Sequence, residues 1–311
     1  MTQYKDIYFT EGYQKLFQET EFGGQPGRYV NSGVEYRFYL RPIQNTPYCD
    51  IVSPYGYSGP TAIEDKPDYE MFEHNFSEYC DKNKIIAEFR RCHPWESVFD
   101  TVKANYEHNV FFIDLTQTEK EISNGFDKGC KSTIKKGAKS LYITQSYGLS
   151  YPLLNLYNET MRRNGASQSY IFDYPFLDKL STLYPHCSTF SVRDSTHIIG
   201  AAVFLTYGDY CHYFLSGSEI NNLGATNLIL FSAIKWAKDE GFKVFDLGGG
   251  ISRGDTLESF KKSFTHQVKP YYTIRKIHNE LVYYELCKVN GIKPDQEGYF
   301  PTYRRDNKGE K

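Results

Sequence analysis

No apolar run in the 311 residues approaches the ~20 that a helical membrane span requires, so no bilayer-crossing helix is expected. The opening residues, MTQYKDIYFTEGYQKL, lack the basic n-region and apolar h-region of a secretory signal, and a cytoplasmic location is the expectation. Cysteine is sparse and patternless. The seven, at positions 49, 80, 92, 130, 187, 211 and 287, are odd in number and never form C-x-x-C, which excludes a disulfide framework or a zinc site and fits free thiols. The eight histidines show no H-E-x-x-H or comparable spacing, so no metal is expected. Charge of one sign is missing as well. With 36 basic against 38 acidic residues the net charge is −2, and any contact with phosphates must come from a local patch. Low-complexity segments and short-period repeats are absent.

What is abundant is aromatic surface: 28 Tyr and 22 Phe, within a hydrophobic content of 40%. Tyrosine joins an apolar body to a polar tip, so part of this surplus suits the walls of wet grooves. The length fits two domains by the soft rule of about 150 residues each.

Strand patterns fall at Val34–Leu40 and Tyr48–Val52. The stretch Ser53-Pro54-Tyr55-Gly56-Tyr57-Ser58-Gly59-Pro60 follows, a turn cluster by composition. It reads either as a tight connection or as a groove wall that displays Tyr55 and Tyr57 to a substrate. Asp68 to Asn83 reads as a helix whose stripe of Tyr69, Phe72, Phe76 and Tyr79 is core. Ile85–Phe89 is a strand, and Glu88, Arg90, Arg91 and His93 at its end read either as groups that could hold a substrate or as a solvated strand end. Lys128 to Lys139 carries five lysines and no acid. Lys128, Lys131, Lys135 and Lys139 share one helical face, either simply solvated or placed to meet phosphates. Further on, strands at Ser188–Val192, Ile198–Tyr207 and Tyr210–Ser216 make an antiparallel meander, followed by a largely apolar helix, Leu228 to Lys238. The residues from Lys293 read as a charged, mobile tail.

The most informative stretch is Phe242–Phe264, FKVFDLGGGISRGDTLESFKKSF. A buried strand runs into Gly248, Gly249 and Gly250, and then a helix that Asp255 and Glu258 would open as a capping box. Leu257, Phe260 and Phe264 share one face, expected to be buried. Lys261 falls on that face and Lys262 opposite. A core-facing lysine either snorkels to water or presents a fixed cation to a cleft. Its position after a strand and a glycine loop is where α/β proteins keep ligands.

The order of meander, G-A-T helix, G-F-K-V-F-D-L-G-G-G and capped helix with F-K-K-S-F resembles the C-terminal half of Fem-type peptidoglycan-bridge aminoacyltransferases, within the Gcn5-related N-acyltransferase (GNAT) superfamily. The K-S-T-I-K-K-G-A-K segment resembles the helix that starts their second domain, and Gly59-Pro60 a Gly-Pro in their first. The resemblance implies an α/β mixed-sheet fold of two tandem GNAT-like domains, expected at residues 1–139 and 140–290, with 291–311 as a tail. It also implies transfer of an acyl group to a primary amine, with Phe260-Lys261 matching the family's Phe-Lys pair near the oxyanion. Asp246 is expected either to act as base or to cap the glycine loop. Gly248, Gly249, Gly250 and Arg253 are expected on the substrate side, with Tyr55, Tyr57, Lys135 and Lys139.

The donor loop is expected at Asn222, Gly224 and Thr226. It lacks the basic or glutamine lead residue and the second glycine of an acyl-CoA pyrophosphate turn, which favours aminoacyl-tRNA over acyl-CoA as co-substrate. The acceptor expected is a nucleotide-linked envelope precursor, with no permanently bound cofactor. Two other readings stand beside this one. They are an acyl-CoA-dependent N-acyltransferase of an amino sugar, and a non-catalytic GNAT-like protein that binds glycans through Tyr55 and Tyr57.

Overall fold

The computed structural model describes residues 5–20, 22–96, 103–147, 151–250, 254–295 and 298–305. The chain forms two compact units: Tyr8–Glu107 with the chain from Tyr271 onward, and Lys5–Ile7 with His108–Pro270.

In the first unit, the Thr10 side chain caps α1 (Glu11–Phe17) by accepting the Tyr13 N–H. A hairpin follows, β1 (Gln25–Asn31) against β2 (Val34–Pro42), paired from Gln25↔Leu40 to Asn31↔Val34. Its turn, Ser32-Gly33, has positive φ at both residues (50° and 74°), the geometry whose twist matches two adjoining strands. β3 (Cys49–Val52) joins β2 antiparallel, and the short β4 (Thr61–Ala62) pairs with β2 as well. Helix α2 (Tyr69–Lys82), capped by Asp68, crosses to β5 (Ile85–Arg91), which lies parallel to β3. The expected aromatic stripe is the core: Phe72 and Phe76 are fully buried and stacked, centroids 5.7 Å apart, against Val34, Tyr36 and Phe38.

The second unit runs through β6 (Asn105–Asp114), α3 (Glu119–Gly125), α4 (Lys128–Gly137), β7 (Tyr142–Ser146), α5 (Tyr151–Arg163) and α6 (Tyr174–Ser181). Then come β8 (Cys187–Arg193), β9 (Ile198–Tyr207), β10 (Tyr210–Ser218), α7 (Ala225–Asp239), β11 (Val244–Gly249) and α8 (Thr256–Lys262). Strands β7 to β10 are antiparallel neighbours, β11 lies parallel to β10, and β6 joins β11 antiparallel. The chain then returns to the first unit, where β12 (Val268–Ile277) pairs antiparallel with β5 through Thr273–Ile277 and α9 (Glu280–Val289) follows.

Both units follow one plan. Three antiparallel strands lead into a helix, the helix crosses to a parallel fourth strand, and that strand takes an antiparallel fifth. The series are β1-β2-β3-β5-β12 and β8-β9-β10-β11-β6. The α/β mixed-sheet class expected from sequence is the one observed. No helix among the described residues is long and apolar enough to cross a membrane.

Several local expectations change. Glu88 and Arg90 are not a solvated strand end: both are buried, and Arg90 bridges Glu88 (2.7 Å) and Glu73 (2.5 Å). Burial alone would raise the Glu88 carboxyl, but Arg90 and His278 beside it overcome this and hold it well below the usual carboxylate range. Among the described residues of the segment expected to be a mobile tail, several pack instead. Phe300, Thr302 and Tyr303 are buried, and Tyr303 and Arg304 both bond Asp50, at 2.8 and 2.5 Å. The turn cluster does not display both tyrosines. Tyr57 is buried among Tyr8, His93 and Tyr271, and Tyr55 packs half-buried on Phe17 and Phe22.

Candidate active site

The parallel ladder between β10 and β11 is short. It pairs Tyr210↔Val244, Cys211↔Phe245 and His212↔Asp246 and then stops, although β10 continues to Ser218 and β11 to Gly249. Each strand also breaks register with its other neighbour just past that point, β10 between Tyr213 and Leu215 and β11 between Asp246 and Gly248. Such bulges re-aim a strand and its side chains. The result is a fork in the middle of a sheet, with backbone on its two inner edges that the strands do not supply to each other.

Gly248, Gly249 and Gly250 form one side of the fork. Gly248 has φ +70°, the left-handed region where a side chain is strained, and its N–H donates to Asp246 Oδ1 at 2.8 Å. Gly249 is a glycine for space, because a Cβ there would lie 2.2 Å from His108 Cδ2. Gly250 lies against the Asp255 carboxylate.

Lys261 faces this loop. Its ammonium donates to Gly249 O at 2.6 Å, its one hydrogen-bond partner among the described residues, and lies 3.2 Å from where a Cβ on Gly248 would sit. The residue is only 7% exposed, so the snorkelling alternative is not realised. Burial pushes the ammonium down to about 8, against the opposing pull of Asp246 and Asp255.

Helix α8 delivers that side chain differently from the expected pattern. Asp255 caps it, accepting the Glu258 N–H at 2.6 Å, while Glu258 reaches back to the Gly254 N–H and not to the cap residue's own. Phe264 is buried and Phe260 packs half-buried on it, centroids 5.5 Å apart, but Leu257 is exposed. The buried position of the first turns therefore belongs to Lys261, and Lys262 points outward as expected.

Asp246 was visible in the sequence; its partner was not. His212 is buried and sits between two carboxylates, with Nδ1 3.0 Å from Asp246 Oδ2 and Nε2 2.8 Å from Asp6 Oδ2. Burial would lower the imidazole, yet the two carboxylates raise it to about 9 and keep it an imidazolium. Both Asp246 oxygens are thus engaged, one by Gly248 and one by His212. The available signal was a single polar residue in each of two otherwise apolar strands, Y-C-H-Y-F-L and V-F-D-L, that neighbour in the sheet. Nothing marked Asp6.

The residues expected to form a donor loop make a closed turn. Asn222 Oδ1 accepts the Gly224 N–H at 3.0 Å, and the Asn222 carbonyl accepts the Ala225 N–H at 2.7 Å. Gly224 is left-handed (φ +84°), and a Cβ on it would meet Thr133 of α4 at 2.6 Å. Thr226 follows in the first turn of α7, half-buried. Lys135 and Lys139 stand exposed on and just after α4, whose Cys130 and Ile134 face the core. Tyr55 and Tyr57 belong to the other unit, and Arg253 lies outside the described residues.

Residues 151–262, from α5 through the fork to Lys261 and Lys262, match the family model for the acetyltransferase (GNAT) domain. The chain carries a GNAT acyltransferase domain. Among solved structures, the fold is similar to FemX, with a TM-score of 0.61 and 11% identity over 88% of this chain and 97% of that one. It is also similar to L-PGS from Bacillus licheniformis (TM-score 0.58, 12% identity, 90% of this chain and 94% of that one). A third similar structure is the C-terminal domain of a candidate lysylphosphatidylglycerol synthetase from Agrobacterium fabrum (TM-score 0.58, 13% identity, 83% and 86%). No curated protein sequence matches the chain. The fold is therefore similar to that of FemX, and its stretch from α5 to α8 is a GNAT acetyltransferase domain by the family model.

Proposed function

We propose that this GNAT domain forms an amide between an aminoacyl group and a primary amine on a cytoplasmic cell-envelope precursor, with aminoacyl-tRNA as donor. The reading rests on the Lys261 ammonium, a buried cation held beside the open end of the strand fork. Attack of an amine on an acyl ester makes a tetrahedral centre whose oxygen becomes negative. A desolvated, pre-positioned ammonium meets that charge without having to reorganise. As the centre collapses, the ester C–O bond breaks, the C–N bond remains, and the ribose oxygen leaves as a hydroxyl, taking up the proton that the attacking nitrogen gives up as it becomes an amide. Lys261 donates to the oxyanion, and Phe260 packs beside it on α8. Asp246 has both oxygens engaged, so its part is to hold the glycine loop.

The closed donor turn supports tRNA over CoA. A pyrophosphate cradle needs free N–H groups at the start of a helix. Here the first two, on Gly224 and Ala225, are already bonded to Asn222, and Thr133 covers the glycine. The exposed Lys135 and Lys139 supply the local positive charge that phosphates of a tRNA or a nucleotide-linked acceptor would meet.

The test is a transfer screen. Aminoacyl-tRNA and acyl-CoA pools are offered separately with amine-bearing envelope precursors, and products are read by mass spectrometry. An aminoacyl amide from the tRNA pool alone is expected. Product from acyl-CoA alone, with micromolar CoA binding in calorimetry, would replace this reading by CoA-dependent N-acylation of an amino sugar.

A further inference from the structure

We infer that His212 is a positioning residue for the transfer reaction: it pins the apex of the β10–β11 fork through Asp246 and so fixes where the Lys261 ammonium stands. The inference rests on Lys261 being the working cation, and the geometry supplies a continuous path. His212 and Asp246 are the last paired residues of the parallel ladder, so their side-chain bond closes the fork at the point where backbone pairing ends. From Asp246 the path continues through Oδ1 to the Gly248 N–H, across one peptide to Gly249, and from the Gly249 carbonyl to Lys261 Nζ. On the other side His212 is tied to Asp6, which the chain brings in from its beginning.

The charges support the same role. Asp6 and Asp246 carry two negative charges, and His212 and Lys261 two positive, all in buried side chains. A buried carboxylate left without its hydrogen-bond partner is costly, so removing the side-chain bond from position 212 leaves Asp246 free to turn away from the loop or toward Lys261. Either movement displaces the ammonium. A misplacement of 1 Å at a reacting centre costs about a hundredfold in rate.

Two substitutions separate positioning from plain support, because each keeps one half of the imidazole's contacts. The amide of His212→Asn reaches the place of Nδ1 and can still bond Asp246. The amide of His212→Gln reaches the place of Nε2 and can still bond Asp6. The expected result is that H212Q loses transfer by about a hundredfold in kcat, with KM little changed, while H212N stays within about tenfold of wild type. Their melting temperatures should be similar to each other. A second readout needs no substrate. Pulsed acetic anhydride labelling, scored by mass spectrometry as the ratio of Lys261 to its exposed neighbour Lys262, should rise severalfold in H212Q and not in H212N.

Equal losses in both variants that track their melting temperatures would overturn the inference, as would an unchanged labelling ratio in H212Q. If no donor and acceptor pair supports turnover, the labelling ratio still decides the positioning role, so failure of the proposed reaction and failure of this inference stay distinguishable.

Discussion

Replacing Lys261 with methionine keeps the stem and removes the charge. In the folded protein the substitution deletes one charged hydrogen bond to Gly249 O, worth about 1.5–3 kcal/mol. It also removes the desolvation of a nearly buried ammonium, and an apolar stem of similar length fills the same space. These terms oppose each other, so stability should change by no more than about 2 kcal/mol, a shift of roughly 5 °C or less in Tm for a chain of this size. Transfer should respond far more strongly. Loss of one fixed donor to a developing oxyanion costs about 10²–10³ in kcat. The pH profile gives an independent check. With the ammonium at about 8 in the folded protein, a role that needs it protonated predicts a rate that falls above pH 8. A role as base predicts a rate that climbs through the same region. The assay is aminoacyl transfer followed by mass spectrometry across pH 6 to 9.5, with melts of both proteins alongside. K261M at wild-type rate with an intact fold, or a rate rising through pH 8, would refute the oxyanion argument.

Gly248→Ala should lower both stability, by about 1–2 kcal/mol, and turnover, since its φ is +70° and the new methyl would press on Lys261 Nζ; melts and kcat check it. The His212 imidazole, raised to about 9 from 6.5, contributes stability that is fully present below pH 6.5 and lost as pH rises to 9, on the order of 3 kcal/mol. The Tm advantage of wild type over H212Q should therefore shrink across that window. Lys135→Glu with Lys139→Glu should leave Tm unchanged, weaken aminoacyl-tRNA binding, and reduce the slope of log K against log salt by about 2. An unchanged slope would remove α4 from the tRNA contact.

Much of the architecture was written in local pattern. The meander β8-β9-β10, the apolar helix α7 and the aromatic face of α2 all follow from alternation or helical spacing, which a single chain displays without help from its neighbours. Strand β1 was not legible, because QPGRYVN is an exposed edge whose residues alternate without an apolar face. The buried network of Glu73, Glu88 and Arg90 was read as solvated for a related reason. Charge in sequence carries no mark of burial, and the pairing that makes burial tolerable joins α2 to β5 through space. At the candidate site Lys261 was readable from helical phase and the triple glycine from composition. Leu257 shared that phase and was left exposed, since phase fixes which residues share a face but not how far along the helix the neighbour extends. His212 and Asp6 escaped because they meet across 206 positions of chain.

The chain's path through its two units sets an order of assembly. Apart from Lys5–Ile7, the unit holding the fork is one continuous run, His108–Pro270, whereas its companion needs β12 and Tyr303 from beyond it. A ribosome therefore releases everything the GNAT unit requires while the earlier-synthesised half still waits for a strand. During that interval β5 has an unpaired edge, Glu88 lacks His278, and Asp50 lacks the hydroxyl and guanidinium that later close on it. The half made first is thus the half completed last, and it is the one with exposed strand edge to protect on the way.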